Sequence, residues 1–309
     1  MSRVIKIRQE QVLSREEMLE QFILWKKAQG ISETTAKDYN YHVNAFFRKY
    51  PDAWDNLSNC ILKYMAENIK PATYNLRLIY LRAFFQFCSE NGHIVINPLN
   101  GFKRKKTQDR IVDIPENILE KLLKLPDQTT FSGLRDYSLI VFTLDTGIRP
   151  KEAFSLKPAH FNFEQLAVTI PAEAAKTRKE RVLPILLVTA EKIKQLINAH
   201  HPDWRDSPVF CTYEGKQMNR HIWNDRLEIY SKKLSYKIRP YDLRHAFAVL
   251  YLRKGGHAFS LQNTLGHEDM SMTRKYVHLS GQDLRDIHRT ASPINSLLNK
   301  NRCRKRKIN

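Results

Sequence analysis

Cysteine is scarce in this sequence, and the few cysteines form no recognisable pattern. The four positions lie far apart in the chain, at Cys60, Cys88, Cys211 and Cys303. Their spacing matches neither a disulfide framework nor the paired cysteine ligands of a zinc site. The sequence therefore argues against a disulfide-stapled fold and favours a reducing, intracellular compartment.

Long apolar runs and clustered carboxylates are also missing. No apolar stretch reaches the roughly 20 residues that a membrane-spanning helix needs. The first residues, Met1 to Arg8, carry too much charge for a signal peptide. A metal-dependent nuclease would need a group of carboxylates to hold its ions, and the sequence shows no such group. We therefore expect no membrane association, no metal site and no cofactor.

Positive charge is present in excess. The 309 residues include 51 Lys and Arg but only 32 Asp and Glu, which gives a formal net charge of +19 and an isoelectric point near 9.8. Such a surface attracts polyanions, nucleic acids among them. The length suits one or two domains with a sizeable core.

Residues 14–101 have the pattern of a bundle of amphipathic helices. Ser14 and Glu17 have the spacing of a capping box, and Met18, Phe22 and Trp25 follow as an apolar stripe. Similar spacing predicts three further helices, at about 32–50, 61–67 and 72–90.

Basic side chains lie between the apolar positions of these helices and just beyond them. They are Lys37, Arg77 and Arg82 in the helices and Lys103, Arg104 and Lys105 in the segment that follows Gly101. Each one alone is most simply a solvated surface residue, whereas together they can form a phosphate-contacting surface. Proline and glycine beside the basic run predict an interdomain linker, either merely flexible or also following a nucleic-acid backbone.

The second half of the chain combines helices with the only convincing strands. A buried helix is predicted to begin near Ser132 and to end at Gly147, and strands are predicted at 161–163, 167–170 and 181–185. The sequence thus predicts a mainly α (α+β) protein: a helical bundle, then a mostly helical domain with a small antiparallel sheet or hairpin. The predicted boundaries are an extension at 1–13, the bundle at 14–101, a basic linker at 102–112, the second domain at 113–299 and a basic tail at 300–309.

Four short motifs in the second half carry the candidate chemistry. They are the stretch 146–152 with Arg149 and Glu152, Leu-Arg-His at 243–245, Leu-Gly-His at 265–267, and Tyr276. Arginine offers a rigid fork of donors for two phosphate oxygens, and Glu152 is near enough to orient Arg149. A tyrosine hydroxyl can act as a nucleophile that holds a phosphoryl group covalently. This set suits phosphate chemistry without a metal.

Together these motifs closely resemble those of the tyrosine recombinases, the phage-integrase family of DNA-breaking and DNA-joining enzymes. They occur in the family's order and at its spacings, between about residues 139 and 278. The resemblance implies a helical core-binding domain, a catalytic domain, and site-specific recombination through a 3′-phosphotyrosyl intermediate. The alternatives are a type IB topoisomerase and a DNA-binding protein with an impaired recombinase fold.

The resemblance also implies roles for the candidate residues. Tyr276 would be the nucleophile, Arg149 and Arg244 would hold the non-bridging oxygens, and His267 would donate a further hydrogen bond. The expected supporting residues are Glu152, which orients an arginine, and His245, which serves packing.

A hairpin lysine protonates the departing 5′ oxygen in the family. Lys176 occupies that slot here, and Lys179 competes with it because hairpin length varies. A lysine with a lowered pKa can give up a proton that an arginine keeps. Arg178 and Lys179 are also expected to contact DNA.

Tyr241 departs from the family pattern, which usually has histidine three residues before the second arginine. A phenol can donate or accept a hydrogen bond, but its pKa near 10 makes it a poor base at neutral pH. We therefore expect Tyr241 to keep phosphate binding and to leave proton acceptance to water or to another group.

The resemblance further implies double-stranded DNA as the partner and a tetramer of this chain on paired sites, in the cytoplasm of a bacterial, phage or mobile-element setting. The segment 282–298 is expected to pass in trans to the next protomer, with a helix folded back on its own domain as the alternative. The tail at 300–309 is expected to seek phosphates. Accessory DNA-bending or directionality proteins are further candidate partners.

Overall fold

The chain forms two compact units, residues 1–109 and 110–309, each with its own hydrophobic core. The prediction of a mainly helical fold with a small antiparallel sheet is confirmed. Within the described part of the chain, no helix is long and apolar enough to cross a membrane. The computed structural model describes residues 14–107, 112–175, 178–204, 206–277, 288–289 and 292–297. The predicted extension at 1–13 and the basic tail lie outside those ranges.

The first unit consists of α1 (Arg15–Ala28), α2 (Glu33–Lys49), α3 (Leu57–Ala66) and α4 (Pro71–Glu90). The predicted capping box is present, because Ser14 Oγ accepts from the Glu17 amide at 3.2 Å and Glu17 Oε2 accepts from the Ser14 amide at 2.7 Å. Pro71 opens α4 at a position where its missing N–H costs no helical hydrogen bond. The core of the unit is rich in buried aromatic rings, among them Phe22, Phe46, Phe47, Phe84 and Phe85.

Two arginines that were expected to face phosphates are used inside this unit. Arg77 donates to Glu67 Oε2 and to the Tyr64 carbonyl, both at 2.9 Å, and its guanidinium lies 3.8 Å from the Tyr64 ring centre. Arg82 donates to the carbonyls of Leu99 and Phe102. These contacts use one guanidinium nitrogen of each arginine and tie α4 to its neighbours, and the DNA contacts expected of both residues stay predictions. The exposed basic side chains of the unit include Lys37, Lys103 and Arg104.

The start of the predicted linker is fixed to α4. The Asn75 side chain donates to the Lys105 carbonyl at 2.8 Å and accepts from the Lys105 amide at 2.9 Å. The Lys105 ammonium lies 4.1 Å from the centre of the Tyr74 ring, a distance at which a cation and an aromatic face attract each other. The basic run therefore leaves the bundle along α4 and is held there as far as Lys105.

The second unit contains helices and one small sheet. Its elements are α5 (Glu116–Leu123), α6 (Phe131–Thr146), α7 (Pro150–Ala153), β1 (Phe161–Asn162), β2 (Ala167–Ile170), β3 (Arg181–Pro184), α8 (Leu187–Asn198), α9 (Arg220–Leu234), α10 (Pro240–Arg253), α11 (Ala258–Leu265), α12 (Met270–Val277) and α13 (Ile294–Leu297). The three strands form an antiparallel sheet in the order β1-β2-β3, with Val168 paired with Phe161 on one side and Leu183 on the other. The helix α6 is largely buried and contacts α8 and α10.

A fully paired buried carboxylate fixes α9 against α6. Asp136 is fully buried and accepts from Arg135 at 2.7 Å, from Arg226 at 2.5 Å and from the Tyr230 hydroxyl at 2.8 Å. Burial and the Asp136 charge raise the pKa of Tyr230 to about 12, so its hydroxyl remains a donor. This network is structural, because each of its charged groups is paired within the network.

Candidate active site

The turn between α6 and α7 presents the first candidate arginine. Gly147 ends α6 in the left-handed conformation, with φ +63°, and a Cβ there would lie 2.3 Å from the Phe247 ring. Both the backbone angle and the close contact therefore require glycine. Arg149 follows as the residue before α7, and Pro150 occupies the first helical position, which suits a residue without an N–H.

Glu152 pairs with two arginines at once. Its Oε1 accepts from Arg149 at 2.9 Å, and its Oε2 accepts from Arg181, the first residue of β3, at 2.5 Å. Only 1% of the Glu152 side chain is exposed. Burial alone would raise the pKa of Glu152, but the two guanidinium groups hold it below its usual value. Glu152 is therefore ionised and fixes the geometry of both arginines.

Arg244, on α10, is anchored by backbone carbonyls at the ends of two helices. It donates to the Gly147 carbonyl at 2.7 Å and to the Leu265 carbonyl at 2.8 Å, while Arg149 donates to the Gly266 carbonyl at 3.0 Å. The negative ends of α6 and α11 thus face the two guanidinium groups. Burial and the nearby Arg149 lower the pKa of Arg244 to about 9, which still leaves it protonated at neutral pH.

The cluster carries an excess of positive charge. Arg149, Arg181 and Arg244 are buried or nearly so. Glu152 is the carboxylate that Arg149 and Arg181 share, whereas Arg244 is held by backbone carbonyls and His267. Nε of Arg181 is buried and has no hydrogen-bond partner in the described part of the chain. Buried positive charges with an unused N–H donor are the arrangement expected of a site that binds an anion. The cluster can therefore accept a phosphate group.

His267 lies against this cluster with its tautomer fixed. Its Nε2 is 3.1 Å from Arg244, which can only donate, so Nε2 must be the acceptor. Its Nδ1 therefore carries the proton and donates to Thr273 Oγ1 at 2.9 Å. Burial and the neighbouring arginines lower the pKa of His267 to about 4. In this arrangement His267 orients Arg244, and the predicted hydrogen bond to a phosphate oxygen would require the other tautomer.

The lowered pKa of His267 predicts how stability depends on pH. The unfolded chain takes up a proton at this histidine below about pH 6.5, whereas the folded chain resists it down to about pH 4. We therefore expect the free energy of unfolding to fall across that window as the pH is lowered. His267→Asn keeps a donor for Thr273 without a titrating ring, so it should lose less stability between about pH 7 and about pH 5 in urea unfolding. Equal losses in both proteins would contradict this assignment.

Tyr276 lies on α12, with its ring buried among α10 and α11. The ring stacks on His267 at an interplanar angle of 9° and a centroid distance of 6.4 Å. Its hydroxyl lies 2.7 Å from Nδ1 of His245. Burial raises the pKa of Tyr276, and Arg244 and Arg149 offset only part of that rise. The phenol is therefore protonated at neutral pH and lies beside the cationic cluster.

Other predicted residues are not seen in this cluster. Tyr241 is 43% exposed on the first turn of α10, and its hydroxyl bonds no described residue. Lys176 lies outside the described residues. Lys179 and Arg178 are exposed in the connection between β2 and β3, and Arg178 has a positive φ of 53°. The roles predicted for these four residues remain predictions.

Arg181 is the residue of the cluster to which sequence reasoning gave no role. Side chains alternate along a strand, so Arg181 shares its face with Leu183, which is buried. An arginine on the inward face of a strand needs an anionic partner, and that was the available signal. Its partner Glu152 lies 29 positions earlier, a distance that no local pattern spans.

Comparison with known proteins identifies the family of this chain. The family model for the phage integrase family matches residues 113–283. The tyrosine recombinase XerD of Lacticaseibacillus casei is 27% identical over 278 residues, covering 85% of this chain and 94% of that protein. The tyrosine recombinase XerA of Pyrococcus furiosus is 27% identical over 295 residues, covering 92% and 97%. The chain therefore belongs to the phage integrase family, the tyrosine recombinases.

Solved structures share the fold at low sequence identity. A lambda integrase dimer bound to a COC′ core site, with residues 75–356 of that protein, matches with a TM-score of 0.67 and 16% identity, over 84% of this chain and 97% of the other. The XerH site-specific recombinase bound to its difH substrate matches with a TM-score of 0.65 and 18% identity, over 91% and 85%. At these identities the likeness concerns the fold alone. Among the described residues, no group of three or more His, Cys, Asp or Glu could hold a metal ion.

Proposed function

We propose that this protein cuts and rejoins DNA at specific sites through a covalent bond between Tyr276 and a 3′ phosphate. One observation carries the proposal: a buried tyrosine hydroxyl lies beside an arginine cluster that holds more positive charge than its carboxylate balances. A phosphodiester supplies the missing negative charge and the atom that the hydroxyl attacks. Charge that develops on the phosphate oxygens would be stabilised by Arg149 and Arg244, which are already fixed in place.

The remaining steps follow from the chemistry of the bound phosphate. Tyr276 attacks phosphorus and the 5′ oxygen leaves, with Lys176 proposed as its proton donor. Tyr241 is proposed to contact the phosphate from the first turn of α10. Because the phosphotyrosine keeps the energy of the broken bond, a 5′ hydroxyl of a partner strand can reseal the DNA without ATP.

The proposed substrate is double-stranded DNA, bound by several copies of this chain. Relatives that are named tyrosine recombinases support the reaction, and neighbours of the same fold bound to DNA support the partner. Exchange of the segment 282–298 between protomers is proposed for the tetramer, although most of that segment lies outside the described residues. We also propose that the reaction takes place in the cytoplasm.

Covalent trapping tests this function and finds the DNA site. The protein is incubated with nicked genomic fragments, denatured, and recovered with any attached DNA, which is then sequenced. We expect adducts attached to the 3′ ends of the broken strands, at a shared sequence. Relaxation of supercoiled plasmid without sequence preference would instead indicate a topoisomerase. Binding without any adduct would indicate an inactive recombinase fold.

Lys176 is expected to act as the general acid, so Lys176→Ala should cleave the trapped site on the order of 100-fold more slowly. A substrate whose bridging 5′ oxygen is replaced by sulfur should restore the rate, because a thiolate leaves without a proton. Rates are measured in single-turnover cleavage on both substrates. Lys179→Ala is compared at saturating protein, because Lys179 is expected to contact DNA, and it should show no rescue by sulfur. Sulfur rescue of Lys179→Ala alone would assign the role to Lys179.

A further inference from the structure

The proton on the Tyr276 hydroxyl must be removed when that oxygen attacks phosphorus. Tyr241 stands where the family usually has a histidine that can accept a proton. Its side chain is exposed, and its hydroxyl bonds no described residue. The buried Tyr276 phenol has a raised pKa and does not lose its proton to bulk water at neutral pH. The site therefore needs a proton acceptor other than residue 241.

His267 is poorly suited to this task although its ring stacks on Tyr276. Its Nε2 accepts from Arg244 and its Nδ1 donates to Thr273, so both ring nitrogens are occupied. The neighbouring arginines also disfavour a positive charge on this ring. A proton taken up by His267 would break its bond to Arg244 and release the arginine that should bind the phosphate.

His245 has the required geometry. Nδ1 of His245 and Oη of Tyr276 are 2.7 Å apart, the length of a good hydrogen bond. The two rings belong to different elements, α10 and α12, whose packing in one buried cluster fixes their separation. His245 immediately follows Arg244, so one turn of α10 supplies both a phosphate donor and a group beside the nucleophile.

We propose that His245 is the catalytic base of this site, an inference that rests on the function proposed above. As Oη of Tyr276 bonds to the scissile phosphorus, its proton passes to Nδ1 of His245 and the bond from phosphorus to the 5′ oxygen breaks. The 5′ oxygen takes a proton from the general acid. In rejoining, a 5′ hydroxyl attacks phosphorus and returns its proton to that acid, while the proton on His245 returns to Oη.

The charges around His245 make the transfer depend on bound phosphate. Arg244 of α10 and Arg149 before α7 act on both Tyr276 and the His267 ring that stacks on it, and Arg181 of β3 acts on His267 as well. His267 itself is neutral. Without an anion, these three arginines oppose a positive imidazole. A phosphate between them supplies negative charge, so His245 can accept the proton once DNA occupies the site.

His245→Asn separates a base from a residue that only holds the tyrosine in place. The Asn Oδ1 can still accept a hydrogen bond from Tyr276, but it cannot take up the proton. At neutral pH we expect adduct formation on the trapped site to slow on the order of 100-fold or more. The loss should shrink as the pH rises, because hydroxide then removes the phenolic proton. The 5′-sulfur substrate is used for this pH profile, since it isolates attack from protonation of the leaving group.

Control variants and measurements separate the test of His245 as the base from the test of the proposed recombinase function. His221→Asn changes an exposed histidine on α9 and should match the wild type. Melting temperature and non-covalent DNA binding of His245→Asn should also match. A wild-type rate of adduct formation in His245→Asn would overturn His245 as the base, and so would a rate that is equally low at every pH. Adduct formation faster than in the wild type would show instead that His245 restrains the nucleophile. Absence of any wild-type adduct would overturn the proposed function, and this inference with it.

Discussion

Tyr276→Phe is expected to bind DNA almost as tightly as the wild type and to form no covalent adduct. The substitution removes only the attacking oxygen, while the ring keeps its place among α10, α11 and α12. Loss of the hydrogen bond to His245 should change the free energy of unfolding by only about 1 kcal/mol. Denaturing gels with end-labelled DNA measure the adduct, and native gels measure binding.

Tyr251→Phe is the matched control for this experiment. Tyr251 lies on α10 and packs against the same cluster, so its substitution disturbs similar surroundings without touching the proposed nucleophile. It should form adducts at the wild-type rate. An adduct that survives in Tyr276→Phe would show that another residue attacks the phosphate. Equal loss in both variants would trace the effect to the cluster rather than to the hydroxyl.

Local features of the site could be predicted because their causes are local. Gly147 ends α6 since only glycine accepts the left-handed angle in contact with Phe247, and Pro150 can open a helix but not continue one. The helical pattern likewise predicted α6 to within two residues at each end. The position of Arg149, just after the end of this helix, followed from that boundary.

The partners of the site residues could not be predicted in the same way. His245 meets Tyr276 across 31 positions, and Arg181 meets Glu152 across 29. Such pairs are set by how helices and strands pack, which apolar periodicity does not encode. The sequence could say that His245 follows Arg244, but only the crossing of α10 and α12 brings it to the hydroxyl.

Net charge does not say which arginines contact an anion. In the first unit, Arg77 was expected to contact DNA, and it pairs with Glu67 ten positions away and covers the Tyr64 ring. A long arginine side chain can bury its stem and bond inside a domain. The excess of basic residues therefore favours the binding of an anion, while the contact of Arg77 with DNA stays a prediction.

The second large effect concerns stability. Glu152→Ala removes the carboxylate that Arg149 and Arg181 share and leaves two nearly buried guanidinium groups without it. Breaking a buried ion pair by deleting one partner typically costs about 3–5 kcal/mol. Urea unfolding should show a loss of that order. Glu228→Ala is the control, because its pair with Lys232 is exposed and should contribute less than about 1 kcal/mol.

The pH dependence of the free energy of unfolding tests separately whether the charge of Glu152 stabilises the fold. The two arginines lower its pKa in the folded state, so its contribution is complete above about pH 4.5 and is lost as the pH falls through the folded value. The difference in stability between the wild type and Glu152→Gln should therefore shrink in acid. A difference that stays constant with pH would mean that the shape of the side chain matters and its charge does not.

A second substitution tests whether unpaired charge causes the loss. Arg181→Met removes one of the guanidinium groups that Glu152→Ala leaves without a carboxylate, and it replaces the arginine with an apolar side chain of similar length. Added to Glu152→Ala, it should recover part of the lost stability, because only the Arg149 guanidinium then lacks the carboxylate instead of two guanidinium groups. Losses that simply add would show that Glu152 and Arg181 act separately. Recovery of stability without recovery of DNA cleavage is the expected outcome, because the carboxylate that orients Arg149 is still absent.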